Sequence, residues 1–406
     1  MLEGDDILPA PPDGRIDSSD NALGKHFLFL GAVGSGKTNA IKLLVRKLRA
    51  EAGPSDVFVF FDTKGDYQRS FWQTGDVVVG PGGKHVWNVF ADLPPEGDPE
   101  LEDHVHEIAS TIFGQLIGSA GANAYFAYAA RDVFGAVLLA MRKSVAHPSN
   151  AELCQQLGGS APEIRELLLD HEELAPVAVS LGEGSGGQGV LGFLRQATNA
   201  AFGGQFRERG EFSVRSFVRG KGSKAMFVEY DLAIGARLLP VYRVLIDMAI
   251  KEALEIGRAA LSHGPVSGRV FFILDEFALM PTLPHLGDGI NFGRELGLRF
   301  IAGSQNVHQV FSSYGPDAGR SILSGFGNVV ALRLLDSASR DLVRERFGKN
   351  RKHITVSAPV RNNPDHQEIV IGSVIEDWEL SRLRAGEAVV APHQGLPFRY
   401  AFLRAD

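Results

Sequence analysis

Residues 26 to 48 read HFLFLGAVGSGKTNAIKLLVRKL, and this stretch decides the fold of the chain. The apolar run Phe27 to Leu30 is followed by a segment that matches G-x-x-x-x-G-K-T, and an amphipathic helical pattern comes after it. Strand, loop and helix in this order are typical of a phosphate-binding loop, whose backbone N–H groups surround a phosphate at the helix N-terminus. The predicted nucleotide-binding residues are Gly31, Ala32, Val33, Gly34, Ser35, Gly36, Lys37 and Thr38.

Two residues of this loop have predicted chemical roles. The Lys37 ammonium would reach the β- and γ-phosphates of a nucleoside triphosphate, and the Thr38 hydroxyl would hold Mg²⁺. The structural alternative is a glycine-rich turn that binds nothing. A complete eight-residue match between a strand and a helix disfavours that alternative.

The composition is that of an ordinary soluble globular protein. The chain has 406 residues, of which 44% are hydrophobic and 22% charged, and this length can bury a large core. No uninterrupted apolar run approaches the roughly 20 residues that cross a bilayer, so no membrane-spanning segment is expected. The single cysteine, Cys154, excludes a disulfide within the chain and favours a reducing cytoplasmic setting. A net charge of −7 supplies no general attraction to nucleic acid, so DNA binding would need local basic surfaces.

Two later apolar strands end in acidic residues. Asp62 follows Val57 to Phe61, and the pair Asp275 and Glu276 follows Val270 to Leu274. Ligands bind at the carboxyl edge of a parallel sheet. We therefore predict that Asp62 contacts the nucleotide, that Asp275 holds Mg²⁺ through water, and that Glu276 polarises the attacking water. Turn or capping roles are the alternatives for both acidic sites.

Gln305 and Arg294 lie on either side of a further apolar strand near residues 299–303. Gln305 follows the strand, where it could act as a sensor that hydrogen-bonds the nucleophilic water or the γ-phosphate. A loop glutamine of no special role is the alternative. Arg294 precedes the strand, in a predicted helix from Gly287 to Gly297. It is either a solvated surface arginine paired with a neighbour or, in a ring ATPase, a residue that faces the γ-phosphate of the next subunit.

The pattern of strands and helices predicts three parts. Residues 1–25 form an acidic, proline-rich irregular arm, residues 26–90 and 220–406 form an α/β domain with a mostly parallel central sheet, and residues 91–219 form an inserted all-α domain. A basic segment from Arg340 to Lys352, in or just after a helix, is a candidate DNA contact. A solvated helix face is the alternative for that segment.

Several motifs stand in an order and spacing that resemble one known family. Besides the phosphate loop they are Asp62 to Asp66, Tyr125 to Arg131, Gly210 to Arg215, Leu274 to Ala278, Leu283-Pro284, Gly293 to Gly297, Gly303 to Asn306, Tyr314-Gly315 and Trp378 to Ala388. Together they resemble the TraD/TraG-type coupling proteins of type IV secretion and conjugation, which are relatives of the FtsK and HerA motors. The resemblance covers nearly the whole chain from Gly24 onward.

The resemblance implies a RecA-like P-loop NTPase fold and a homohexameric ring that binds and hydrolyses ATP with Mg²⁺. It implies that Arg294 is an arginine finger supplied in trans and that Gln305 is a sensor. The implied partners are single- or double-stranded DNA, a relaxase or other secretion substrate, and type IV secretion components. Family members usually carry membrane-spanning helices ahead of the phosphate loop, so the implied place is the cytoplasm at the inner face of the cell membrane, reached through a partner or an anchor absent from this sequence.

Two other functions remain open at this level. One is a HerA- or FtsK-like DNA pump used in DNA processing or defence. The other is a substrate-recruitment module in which the nucleotide only sets the conformation.

Overall fold

The computed structural model describes residues 24–280, 283–356 and 366–404. The predicted irregular arm at residues 1–25 lies outside these ranges, except for its last two residues. The strands in the described ranges are β1 (Phe27–Leu30), β2 (Val57–Asp62), β3 (Val77–Val79), β4 (Lys224–Glu229), β5 (Val270–Leu274), β6 (Leu298–Ser304), β7 (Asn328–Ala331), β8 (Lys349–Val356), β9 (His366–Ser373), β10 (Glu387–Ala391) and β11 (Phe398–Ala401).

Nine of these strands form one sheet, in the order β11-β10-β7-β1-β6-β5-β2-β4-β3, and β8 pairs with β9 in a separate antiparallel hairpin. The pairings from β7 to β3 are all parallel, whereas β10 and β11 join antiparallel at one edge. Both faces of the sheet are covered, which explains why β1 and β2 consist of continuously buried residues. The predicted α/β class with a mostly parallel sheet is confirmed.

The register brings four strand ends to one level. Leu30 at the end of β1 pairs with Ser304 at the end of β6, and Leu274 at the end of β5 pairs with both Phe61 and Ala302. Residues that directly follow these strands therefore gather at a single edge of the sheet. This is the edge at which open α/β sheets bind ligands.

Helices cover both faces of the sheet. Those outside the segment between β3 and β4 are α1 (Lys37–Ala50), α2 (Asp66–Phe71), α10 (Gly235–Leu261), α11 (Leu286–Asn291), α12 (Val307–Tyr314), α13 (Pro316–Ser324), α14 (Ser337–Phe347) and α15 (Asp377–Arg382). Between β3 and β4 the chain forms α3 (Leu101–Ser119), α4 (Ala124–Ser144), α5 (Asn150–Gly158), α6 (Ala161–Leu169), α7 (Ala175–Ala178), α8 (Ser185–Ala201) and α9 (Val214–Gly220). The largest core cluster runs without a break from these helices through α10 to one face of the sheet.

A buried carboxylate connects the start and the end of the helical segment. Asp92 lies before α3 and accepts hydrogen bonds from Trp87 Nε1 (2.6 Å), from the Ser213 hydroxyl (2.7 Å) and from the backbone N–H groups of Val214 and Arg215. Burial raises the pKa of Asp92, and the four donors oppose that rise. These contacts hold the N-terminus of α9 against the chain that enters the segment.

One helix in the described ranges differs from the sequence expectation about membranes. The span Gly121–Ser144 is long and apolar enough to cross a bilayer by length and composition, and 56% of its most apolar window is buried inside the structure. Its buried residues include Phe134 and Leu138, which belong to the main core cluster. Packing in a helical core therefore accounts for this apolar composition.

One predicted helix has different boundaries in the structure. The helix predicted from Gly287 to Gly297 ends at Asn291, and turns follow to Gly297, which has φ 86°. In the basic segment the helix ends at Phe347, and the residues after Gly348 form β8, because the chain there pairs with β9 instead of continuing the helix.

Candidate active site

The phosphate loop joins β1 to α1 and is supported from two sides. Gly34 and Gly36 have φ values of 75° and 97°, which residues with a side chain rarely adopt. Gly31 N–H donates to the carbonyl of Ser304 at 3.1 Å, and Ser35 N–H closes a turn onto Ala32 at 3.0 Å. A Cβ at Gly31 would lie 2.5 Å from Ser35 Oγ. The backbone of the loop therefore favours glycine at positions 34 and 36, and the side chains of Ser35 and Leu332 leave little room for a side chain at position 31.

Lys37, Thr38 and Asp275 form one cluster at the carboxyl edge of the sheet. The Lys37 ammonium donates to Asp275 Oδ1 at 2.5 Å and to the Asp275 carbonyl at 2.7 Å, and the Thr38 hydroxyl donates to Asp275 Oδ2 at 2.7 Å. The side chains of Lys37 and Asp275 are 6% and 8% exposed, so this is a nearly dry ion pair. Residues more than 230 positions apart in the sequence thus meet in one cluster.

Glu276 and Gln305 form a second pair beside this cluster. Gln305 Nε2 donates to the two carboxylate oxygens of Glu276 at 3.2 and 3.3 Å. Glu276 Oε1 lies 3.7 Å from the Lys37 ammonium. The structure therefore brings together five of the predicted site residues and orients the Glu276 carboxylate with an amide donor. The five are Lys37, Thr38, Asp275, Glu276 and Gln305.

The Asp62 carboxylate caps a helix. It accepts hydrogen bonds from the backbone N–H groups of Asp66, Tyr67 and Gln68 at 2.8 to 3.0 Å, with Lys64 N–H at 3.4 Å. Burial raises the pKa of Asp62, and these hydrogen bonds oppose the rise. This arrangement matches the capping alternative, and a contact between Asp62 and a nucleotide stays a prediction.

Arg294 lies at the opposite edge of the sheet. It is exposed in the turn before β6, whereas Gln305 follows the last residue of the same strand. Partial burial and the charges of Arg294 and Arg299 lower the pKa of Lys25, which precedes β1 at that opposite edge. The structure thus places Arg294 in a basic environment and does not bring it to the phosphate loop of its own chain.

Two glycines that the sequence reasoning did not assign to the site are needed by its geometry. A Cβ at Gly303 would lie 2.4 Å from the carbonyl of Asp275 and 3.0 Å from the Lys37 ammonium. Gly386 N–H donates to the carbonyl of Ser35 at 2.9 Å, and a Cβ at Gly36 would lie 3.0 Å from that nitrogen. A glycine at the end of a buried strand could have indicated the first, whereas no local pattern indicates the second.

Tyr67 is a third residue that sequence reasoning missed. Its side chain is 2% exposed, and its hydroxyl is buried without a hydrogen-bond partner of good geometry. Burial raises the pKa of Tyr67 well above its usual value, and the nearby carboxylate of Asp275 raises it further. The hydroxyl therefore lies near Asp275, the acidic residue at the centre of the site.

The residues present fit Mg²⁺ and a nucleoside triphosphate. The buried Ser35 hydroxyl has no hydrogen-bond partner, and Gly34 and Gly36 have positive φ, a conformation typical of backbone nests that bind anions. Thr38 and Asp275 offer hydroxyl and carboxylate oxygens, which Mg²⁺ prefers, usually together with phosphate oxygens and water. The Thr38 hydroxyl and the Asp275 carboxylate would hold the metal, and the Lys37 ammonium would bind the phosphates.

Comparison with known proteins agrees with this arrangement. The family model for the type IV secretion-system coupling protein DNA-binding domain matches residues 14–372. The coupling protein TraD of Escherichia coli (strain K12) is 21% identical over 313 residues, which cover 73% of this chain and 40% of TraD. This chain thus spans less than half the length of that relative.

Solved structures share the fold at low identity. The bacterial conjugative coupling protein TrwBΔN70, in its unbound monoclinic form, has a TM-score of 0.78 and 18% identity, covering 100% of this chain and 90% of that one. The plasmid coupling protein TrwB in complex with ADP and Mg²⁺ has a TM-score of 0.77 with the same identity and coverage. VirB4 of Thermoanaerobacter pseudethanolicus has a TM-score of 0.56 and 15% identity, covering 98% and 96% of the two chains. Because the family model spans most of the sequence, this chain belongs to the type IV secretion-system coupling proteins.

Proposed function

We propose that this chain is an oligomeric ATPase that couples ATP hydrolysis to the translocation or delivery of DNA, or of a nucleoprotein, to a type IV secretion or conjugation channel. The observation that carries the proposal is the cluster of Lys37, Thr38 and Asp275 beside the Glu276–Gln305 pair. Membership of the coupling-protein family supports DNA as the substrate.

Each residue of the site has a distinct task in this proposal. Lys37 binds the β- and γ-phosphates, and Thr38 and Asp275, the latter through water, hold Mg²⁺, which neutralises phosphate charge. Glu276 polarises the attacking water and accepts its proton. Gln305 already donates to both oxygens of Glu276, so it orients this base and lies within reach of the water.

Arg294 completes the site from a neighbouring subunit. It lies at the edge of the sheet opposite its own phosphate loop, so it can serve only a nucleotide bound to another copy of the chain. A homohexameric ring presents each Arg294 to the next subunit, in keeping with the closed symmetry of most oligomers. ATP hydrolysis then depends on assembly.

The remaining partners are proposed from the family and from charge. They are single- or double-stranded DNA, a relaxase or other secretion substrate, and components of the secretion channel at the inner face of the membrane. The arginines of α14 are engaged in the fold, since Arg340 pairs with Asp377 at 2.6 Å and Arg346 donates to backbone carbonyls. Lys349, the first residue of β8, is exposed, so the start of this hairpin is the better candidate for DNA contact.

The division of the chain is part of the proposal. Residues 26–90 and 220–406 form the RecA-like motor domain, and residues 91–219 form an inserted all-α domain. The helical segment between β3 and β4 supports this division, because it leaves and re-enters the sheet at neighbouring strands. The Asp92 hydrogen bonds hold that junction together.

ATP hydrolysis with and without DNA tests the function. Lys37→Ala should lose nucleotide binding, whereas Glu276→Gln should bind ATP normally and lose turnover by about 10² to 10⁴-fold. Lys47→Ala is a matched control, because Lys47 lies on the last turn of α1 and pairs with Glu51. DNA should stimulate hydrolysis by the wild type and by this control.

Two outcomes would contradict the proposal. Equal loss of binding in Lys37→Ala and Glu276→Gln would mean that Glu276 is misassigned. ATP hydrolysis that is unaffected by DNA, together with strong binding of a protein substrate, would favour the recruitment module.

The affinity for DNA should fall steeply between 50 and 200 mM salt, because contacts to phosphates release counterions.

A further inference from the structure

We propose that Tyr67 is a positioning residue whose hydroxyl holds the Asp275 carboxylate in place when the Lys37 ammonium engages the phosphates. The inference rests on the proposed nucleotide site and assigns a task to a side chain outside the motifs for phosphate and metal binding.

The fold directs Tyr67 toward the site. β2 and β5 are parallel neighbours, with Phe61 level with Leu274, so the residues that follow these strands adjoin each other. The Asp62 carboxylate caps α2 and accepts the Tyr67 backbone N–H at 3.0 Å. The Tyr67 ring packs against Phe60, with the ring centroids 5.7 Å apart. Backbone and ring are thereby fixed beside the end of β5, and the Asp275 carboxylate is close enough to the hydroxyl to raise its pKa.

The hydroxyl of Tyr67, rather than its ring, is the group that points to a role in the site. A buried hydroxyl without a partner costs free energy, and a phenylalanine would fill the same space without that cost. Tyr67 Oη has no partner of good hydrogen-bond geometry, although a carboxylate is close by. In the same arrangement Lys37 is hydrogen-bonded to Asp275 Oδ1 and Thr38 to Oδ2.

Asp275 and the nucleotide phosphates compete for the Lys37 ammonium, and this competition gives the Tyr67 hydroxyl a role. Two of the three donors of this ammonium are directed at Asp275, and binding of the β- and γ-phosphates draws on the same ammonium. When they turn to the phosphates, Asp275 loses a partner on the side where Lys37 had held it. The Tyr67 hydroxyl can then donate to the carboxylate and keep it oriented toward the metal.

Tyr67→Phe tests this role because it removes only the hydroxyl. Binding of a fluorescent, non-hydrolysable ATP analogue is measured in EDTA and across a Mg²⁺ titration. We expect unchanged affinity in EDTA, and about tenfold more Mg²⁺ needed for half-maximal tightening, since a hydrogen bond to a charged group is lost.

Tyr242→Phe is the matched control. Tyr242 is a fully buried tyrosine on α10, and the charges near its hydroxyl are Asp231 and Glu229 rather than Asp275. This variant should titrate with Mg²⁺ like the wild type, even if its thermal stability shifts.

The possible results separate the inference from the proposed function. A wild type that shows no Mg²⁺-dependent tightening would overturn the assigned metal site itself. A normal wild type together with a Tyr67→Phe variant that titrates identically would overturn only the role of Tyr67. Equal loss with and without Mg²⁺ would also overturn it, because the hydroxyl would then support the loop and not the metal ligand.

Discussion

Subunits that lack Arg294 should regain ATPase activity when they are mixed with subunits that lack a working Glu276. Arg294→Ala keeps an intact site in its own chain but offers no arginine to a neighbour. Glu276→Gln cannot turn over its own nucleotide but still presents Arg294. Each variant alone should be nearly inactive, since an arginine finger contributes about 10³ to 10⁵ in rate in other NTPases.

The position of Arg294 in the fold is the reason for proposing action in trans, and random mixing of subunits gives the expected size of the rescue. β6 alone, from Leu298 to Ser304, separates Arg294 from Gln305 by about 20 Å at ~3.3 Å per residue, farther than an arginine side chain reaches. In rings mixed at random in equal amounts, about one interface in four joins an intact site to a subunit that carries Arg294. The mixture should therefore recover about a quarter of the wild-type rate.

The assay is steady-state phosphate release after the two variants are mixed and allowed to exchange subunits, with light scattering to verify that mixed oligomers form. The matched control replaces Glu276→Gln by the double variant Glu276→Gln/Arg294→Ala, which should rescue nothing. Rescue by the double variant, or no rescue in proven mixed oligomers, would refute action in trans. So would a wild-type rate per subunit that stays constant down to the monomer.

Three further outcomes follow from buried contacts. Burial lowers the pKa of His26 to about 4, so below pH 6.5 the folded state binds fewer protons than the unfolded state, and the free energy of unfolding falls as the pH falls toward 4. In urea unfolding, wild-type protein should therefore lose about 2 kcal/mol more stability between pH 7.5 and 5 than His26→Gln does. The same pH dependence in both proteins would contradict this. Gly303→Ala places a methyl group 3.0 Å from the Lys37 ammonium and should weaken binding of a fluorescent ATP analogue about tenfold, whereas Gly287→Ala, in open space, should not. Asp92→Ala leaves four donors unpaired and should lower the free energy of unfolding by about 3 kcal/mol in denaturant titrations; a loss below 0.5 kcal/mol would mean that water replaces the carboxylate.

Much of the fold and the centre of the site could be predicted from local patterns. The phosphate loop has a fixed spacing, and the buried strands that end in Asp62 and in Asp275-Glu276 are continuous apolar runs. Such runs can be recognised as buried strands without knowledge of the strands that pair with them. The parallel sheet then follows, because apolar strands that alternate with helices predict it, and the carboxyl edge follows from the sheet. The Lys37–Asp275 cluster was predictable in this way.

Other features were decided only by the tertiary structure. The sequence left two roles open for Asp62, and the four backbone N–H groups around its carboxylate favour the capping role. The support of Ser35 by Gly386 and the approach of Tyr67 to Asp275 join segments that no periodicity connects. The position of Arg294 was also decided by the tertiary structure, because the way the strands assemble into the sheet decides which edge of the sheet it occupies.

Local sequence therefore determined that this chain has a phosphate loop and an acidic strand end, since backbone geometry and burial act over a few residues. The pairing of strands that are distant in sequence decided which side chains contact Asp275. It also decided which edge of the sheet Arg294 occupies. Those pairings are set by the packing of the whole core, which no single segment of the chain contains.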